Sequence, residues 1–286
     1  MDAISLFSQI LRDANRPLTF NIFEIGARAI HADEEPFYRL LSLFPGSTIA
    51  AFEPDEELCA RKNAGPRDSV VYFPVALGRT EETRDFYNTE NAMCSSLYEP
   101  NQEMISRYNN MDVARLKSIS RIDTVSLDHF VSNHDLDPVD FIKIDIQGAE
   151  LDVFQGGLST LKNVLAIVSE AEFVEHYVDQ PLFGDVCAFL SGQSIQFQKI
   201  LGVGGRTLKP ILLDNDPNLC SQQMWADVLF VRSLFERRKL SGDQFLKIAA
   251  FALLYDCLDV ALFCCREVDI NEQGTIGQQF LRRLNS

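Results

Sequence analysis

Four carboxylates in this sequence fall where an apolar run stops: Glu24 in "NIFEIG", Glu53 in "AAFEPD", Asp145 in "FIKIDIQG" and Glu170 in "IVSEAEF". A single acid in such a place commonly caps the helix that follows it. Four acids at corresponding strand ends are harder to explain by caps alone. They line one crevice with negative charge, and a ligand there should offer a cation or several hydroxyl donors. Asp145 is placed facing that ligand, and Glu150, in the first turn of the next helix, is placed as a cap. Glu172 and His176 share a face if that segment is helical, but two ligands do not make a metal site and no metal is expected. His129 in "SLDHF" is read as a structural histidine, and "CSS" at 94–96 as a loop that either meets an acceptor or only connects elements.

The glycines narrow the ligand. "EIGARAI" has one glycine, Gly26, where a dinucleotide site needs G-x-G-x-x-G, and Ala27 and Ala29 put methyl groups where a pyrophosphate needs close backbone approach. S-adenosylmethionine has no pyrophosphate; its sulfonium and ammonium groups are positive and its ribose offers two hydroxyls. Glu53, 27 residues beyond Gly26, stands where a carboxylate accepts both hydroxyl hydrogens. Methyl transfer is an in-line displacement that gains mainly from alignment. An alcohol acceptor must also lose its proton to a nearby carboxylate or imidazole. Asp145 is the first candidate for that task, followed by Glu170, Glu172 and His176.

These residues need a scaffold. The runs 18–26, 47–55, 69–78, 141–146 and 163–173 are short, apolar and separated by helical patterns, which predicts a mostly parallel α/β sheet covered on both faces. Pro74 marks the third run as an edge or a bulge. "SIQFQKILGV" and "MWADVLFVR" alternate and are expected to pair antiparallel at one end of the sheet. "TRDFYNTE" is a candidate strand. Residues 101–120 are polar with no stripe, either folding over a ligand or forming a solvated connection. "IDTVSLDHFVSNH" (122–134) reads as a short strand leading into a helix, "DVCAFLSGQ" as helical, and Pro36 as the start of another helix.

Composition bounds the partners. The chain has 286 residues and a formal net charge of −15, which argues against nucleic acid because that affinity rests on Lys and Arg. The basic run "FERRKL" at 235–240 is too short to change this. Seven cysteines without a C-x-x-C pair suggest reduced thiols in the cytoplasm. Ile4, Phe7 and Leu11 mark an amphipathic N-terminal helix. The apolar stretch 248–265 carries Asp256 and Asp259 near its middle, which favours two packed helices, with "SGDQ" as a capping box, over a membrane span.

The pieces "NIFEIGA", "IAAFEPD", "PVALG", "VSLDHF" and above all "DFIKIDIQGAELDVFQGG" resemble the FkbM family of S-adenosylmethionine-dependent methyltransferases over about 20–232. The resemblance implies a Rossmann-like methyltransferase fold with a mostly parallel seven-stranded sheet and helices on both faces. It implies O-methylation of a hydroxyl on a sugar or other small metabolite. By position it implies Glu24 and Gly26 near the methionine moiety of S-adenosylmethionine, Glu53 on the ribose, Ala76 and Leu77 near the adenine, and Asp145 at the reaction centre. Family members usually carry a second glycine after the first, and "GARAI" has none. Two alternatives therefore stand beside the enzyme: a non-catalytic module, and a nucleotide-cofactor oxidoreductase. The domain is drawn over 1–234, with a C-terminal helical extension over 235–286 that must bury its apolar face on the domain or on a second copy of the chain.

Overall fold

A computed structural model describes residues 2–28, 35–65, 69–134, 136–235 and 240–284. In chain order its strands are β1 (Asn21–Ile25), β2 (Thr48–Phe52), β3 (Val70–Phe73), β4 (Ala76–Gly78), β5 (Glu82–Thr89), β6 (Leu116–Ser126), β7 (Phe141–Ile144), β8 (Ala166–Glu172), β9 (Ile195–Gly204) and β10 (Trp225–Arg232). Its helices are α1 (Ala3–Asp13), α2 (Arg39–Leu43), α3 (Glu56–Asn63), α4 (Gln102–Arg107), α5 (Leu127–Asn133), α6 (Glu150–Gln155), α7 (Phe183–Gly192), α8 (Gly242–Leu254), α9 (Leu258–Glu272) and α10 (Ile276–Leu284).

Seven strands form one sheet in the order β3-β2-β1-β7-β8-β10-β9. β1, β2, β3, β7 and β8 pair in parallel, and β10 runs antiparallel to both of its neighbours. The central parallel strands are short and buried on both faces; every residue of β7 is buried, which is why they read as largely apolar runs, while the edge strand β3 leaves Val71 exposed. The sheet is the Rossmann-like one expected, with the antiparallel pair at the end where the alternating segments placed it.

The third apolar run departs from expectation. It breaks at Pro74, which has no N–H to continue the ladder. β3 ends before it at the sheet edge, and β4 joins a separate three-stranded sheet, β4-β6-β5. Residues 101–120 are not a plain connection either. They hold α4 and the start of β6, whose 11 residues are mostly exposed and carry no apolar stripe to read.

The two sheet faces have different covers. On one, Phe23, Ile25, Ile142, Ile144, Val153, Phe154 and Leu190 pack with α5, α6 and α7. On the other, α1 and the helical tail share a core with Phe20, Ile22 and Phe141. The tail face thus buries itself on the domain: Phe251 stacks on Phe141 at 5.0 Å and meets Phe20 edge-on at 5.2 Å between centroids, while Lys247 Nζ bonds both oxygens of Asp140 at 2.8 and 2.7 Å. Ser241 and Gln244 form the expected capping box. The stretch 248–265 breaks at Asp256, in a left-handed conformation with φ of 56°, and α10 follows as a helix the sequence reading did not separate. No helix among the described residues is long and apolar enough to cross a membrane. The basic run at 236–239 and Ala29 lie outside the described residues.

Candidate active site

β1, β2 and β3 step across the sheet in one direction and β7 and β8 lie on the other side of β1. Strand order therefore reverses between β1 and β7, and a crevice opens beyond their carboxyl ends. A cavity of about 320 Å³ lies there. Its wall follows the sheet order: Glu53 after β2, Gly26 after β1, Asp145 after β7, Glu170 and Glu172 on β8, and Trp225 at the start of β10. Ala76 and Leu77 line it from β4, and Cys94, Ser95, Ile105, Met111 and Val113 from the segment between β4 and β6.

Gly26 is fixed by the crowding of two strand ends. Its φ is +87°, and a Cβ there would sit 2.0 Å from the Asp145 carbonyl oxygen. Its N–H and that of Ala27 both donate to the Phe52 carbonyl at 3.0 Å. Glu53 is buried beside this turn. Its Oε1 accepts from Arg28 Nη1 at 3.1 Å and from the Asp55 N–H at 3.0 Å, while Oε2 has no hydrogen-bond partner among the described residues. Burial raises the Glu53 pKa, and the Asp55 N–H and Arg28 pull it back.

Asp145 and Glu170 meet through Gln147. Gln147 Nε2 donates to Asp145 Oδ1 at 2.8 Å and to Glu170 Oε2 at 2.5 Å. Its Oε1 accepts from the Tyr177 hydroxyl at 2.9 Å. Gln147 holds a left-handed conformation with φ of 60°, and Ser96 Oγ pins its carbonyl at 2.6 Å. Burial first, then the charges of Asp145 and Glu172, push Glu170 well above the usual carboxyl range. Glu172 is raised well above its usual value by burial, then by Glu150 and Asp145.

Several expected placements change. Glu24 does not reach the cavity. The strand pleat turns it, with Ile22, to the opposite face from Phe23 and Ile25, where it is buried and accepts from the Tyr38 hydroxyl at 2.6 Å. Burial pushes its pKa up to about 7. Glu150 does not cap through its own N-terminal position: Ala149 is the N-cap, and Glu150 Oε1 reaches back to the Ile146 N–H at 2.8 Å. Burial raises Glu150 to about 7. Glu172 and His176 are not on one helix; Glu172 ends β8 and His176 follows in a loop. Among the described residues no three His, Cys, Asp or Glu are grouped to hold a metal ion. His129 lies away from the cavity, its Nε2 2.6 Å from Asn133 Nδ2.

His176 does line the cavity. It is 9% exposed, and its Nε2 is buried with no partner. Burial, helped by Arg206, lowers its pKa to about 4, so the ring is neutral at physiological pH. Three further wall residues carried no warning in the sequence: Gln147, Arg206 and Trp225. The available signals were slight: a glutamine between Asp145 and Gly148, a double glycine before Arg206, and the chain's one tryptophan opening a strand.

A 2-O-methyltransferase, NoeI, from Sinorhizobium fredii (strain NBRC 101917 / NGR234) is 32% identical over 154 residues, 51% of this chain and 59% of the relative. The chain thus matches about three fifths of that relative's length. Among solved structures, a methyltransferase FkbM from Methylobacillus flagellatus KT aligns over 79% of this chain and 47% of its own at 14% identity, TM-score 0.39. Magnesium protoporphyrin IX methyltransferase (ChlM) from Synechocystis PCC 6803 aligns over 81% and 78% at 7% identity, TM-score 0.36. The methyltransferase FkbM domain model matches residues 24–198, from β1 into β9 and through every strand-end acid of the cavity, and the chain belongs to that family.

Proposed function

We propose that the chain is an S-adenosylmethionine-dependent methyltransferase acting on a hydroxyl of a sugar or another small metabolite. The observation that carries this is Glu53, whose Oε1 is fixed by Arg28 and the Asp55 N–H while Oε2 has no partner among the described residues, on a wall that continues to Asp145. A carboxylate held in this way suits a ribose diol, and an acidic wall suits a cationic ligand. Ala76 and Leu77 offer the apolar surface an adenine needs. S-adenosylmethionine supplies an electrophilic methyl group when bound. The name of the 2-O-methyltransferase relative favours a hydroxyl acceptor.

The residues divide the work. Glu53 holds the ribose hydroxyls. Asp145 receives the proton that the acceptor hydroxyl releases. Gln147, which donates to both Asp145 and Glu170, fixes the orientation of Asp145. His176, neutral, offers Nε2 to the acceptor. Calorimetry with S-adenosylhomocysteine tests the reading: the native protein binds, and Glu53→Ala weakens binding by about 1.5–3 kcal/mol, the range for a hydrogen bond to a charged group. Absence of binding to the native protein, or unchanged affinity in a folded Glu53→Ala variant, refutes it.

A further inference from the structure

One arginine of the cavity wall makes no direct ion pair among the described residues. Arg206 lines the cavity and spends Nη1 on two neutral acceptors, the Gly205 carbonyl and Asn218 Oδ1, both at 2.8 Å. Its Nε is buried without a partner, and neither Nε nor Nη2 makes a hydrogen bond or ion pair among the described residues. The guanidinium lies 4.8 Å from the centroid of the Trp225 ring. His176 packs against the same ring at 5.5 Å and is the second cavity residue with an orphaned buried nitrogen.

The position is built. A Cβ on Gly204 would fall 2.1 Å from the Trp225 ring, so only glycine lets the indole lie across the end of β9. Met224 Sδ accepts from the Arg206 N–H at 3.2 Å, and Pro217 O accepts from the Thr207 N–H at 2.7 Å. A buried polar group left unpaired costs about 1–3 kcal/mol. Two such groups on one cavity wall are satisfied if a ligand completes them.

We infer that the methyl acceptor carries an oxyanion, a carboxylate or a phosphate ester, which Arg206 binds with its Nε–Nη2 edge beside Trp225 and His176 while the acceptor hydroxyl faces Asp145. This rests on the methyltransferase reading of the cavity. A planar guanidinium edge with two free N–H groups matches an oxyanion in a bidentate way that a lysine cannot. The chain's net charge of −15 opposes anions at long range, but screening confines that field to about 8 Å at physiological salt. Within that distance no carboxylate bonds Arg206 directly among the described residues, and Asp216 reaches it only through Asn218. Glu172, the β8 residue opposite Trp225 in register, is held well above the usual carboxyl range by burial and its acidic neighbours.

Trp225 is the only tryptophan of the chain, so its fluorescence reports on this end of the cavity alone. The titration uses D-glucuronate, D-glucose 1-phosphate and D-glucose at constant ionic strength, with the native protein, Arg206→Gln and Arg206→Lys. A saturable change is expected with at least one charged probe and none with glucose, and whichever charged probe binds tighter identifies the oxyanion. Arg206→Gln should weaken that binding by about 10- to 100-fold, with Arg206→Lys between the two. A thermal melt of each variant confirms folding. S-adenosylhomocysteine affinity, read by calorimetry, should be the same in all three proteins. Equal response to glucose, no saturation by either anion, or binding unaffected by Arg206→Gln overturns the inference. Failure of the native protein to bind S-adenosylhomocysteine refutes the methyltransferase reading separately, whatever the fluorescence shows.

Discussion

Replacing Gly26 by alanine tests whether the turn after β1 sets the position of Asp145. The new Cβ would stand 2.0 Å from the Asp145 carbonyl oxygen, 2.9 Å from its carbon and 3.1 Å from Ile146 Cγ2. An ordinary carbon–oxygen contact is about 3.3 Å or longer, so the two backbones must part by roughly 1.3 Å. The Asp145 N–H donates to the Ile25 carbonyl at 3.0 Å, and that bond is the first to be strained. The positive φ adds about 1–2 kcal/mol for a residue with a Cβ, and loss of the bond about 1 kcal/mol more. Urea denaturation should therefore show a loss of about 2–3 kcal/mol, within the 5–15 kcal/mol range of a folded protein. A shift of about 1 Å in Asp145 should cost on the order of 10² in methyl transfer, beyond any change in S-adenosylhomocysteine affinity. Native stability and native turnover in Gly26→Ala would refute the coupling of the two strand ends.

Two other perturbations separate roles. Asp145→Asn keeps the shape and removes the basicity, so turnover should fall about 10²–10⁴-fold with S-adenosylhomocysteine affinity little changed; loss of stability with normal turnover would remove Asp145 from catalysis. Glu24, raised from 4.5 to about 7 in the fold, favours the folded state most below pH 4.5 and less as pH rises through 7. The shift corresponds to a ceiling of about 3 kcal/mol, so Glu24→Gln should lose less stability than the native protein between pH 5 and 8 in urea titrations. Superimposable profiles would show that Glu24 does not titrate in this range.

Much of the fold could be read in advance because the central strands leave a strong local mark. β1, β2, β7 and β8 are largely buried and so appear as mainly apolar runs, and β9 and β10 show the alternation of an antiparallel pair. The second sheet left a weaker mark: "TRDFYNTE" was legible as β5 and Pro74 as a break, but most of β6 is exposed, and nothing local shows that β4 leaves one sheet for another. The site divides in the same way. Glu53, Asp145 and Glu170 were visible as acids ending apolar runs. Glu24 was misplaced because a residue one step before the strand end points to the other face. Arg206 and Trp225 reach the cavity only through closure of the loop between β9 and β10, which no local pattern encodes. Family membership sets aside the oxidoreductase alternative.

The helix that opens the described chain and the one that closes it are held together: Phe7 packs edge-on against Phe280 at 5.6 Å, and Arg283 pairs with Asp13 at 3.2 Å. β1 likewise takes part of its cover from α8, through Phe20 and Phe251. During synthesis the first strand is thus made more than two hundred residues before its covering helices emerge. Contacts so distant in sequence close slowly, because the entropy of closing the loop is lost before the contact forms. Until α8 is made, Phe20 and Phe141 lack Phe251 and keep only the partial cover of Phe44 and Phe37. Termination short of α8 leaves that face of the sheet with only the part of its cover that α1 and Phe37, Leu40 and Phe44 supply, and partly covered apolar strands are prone to aggregate.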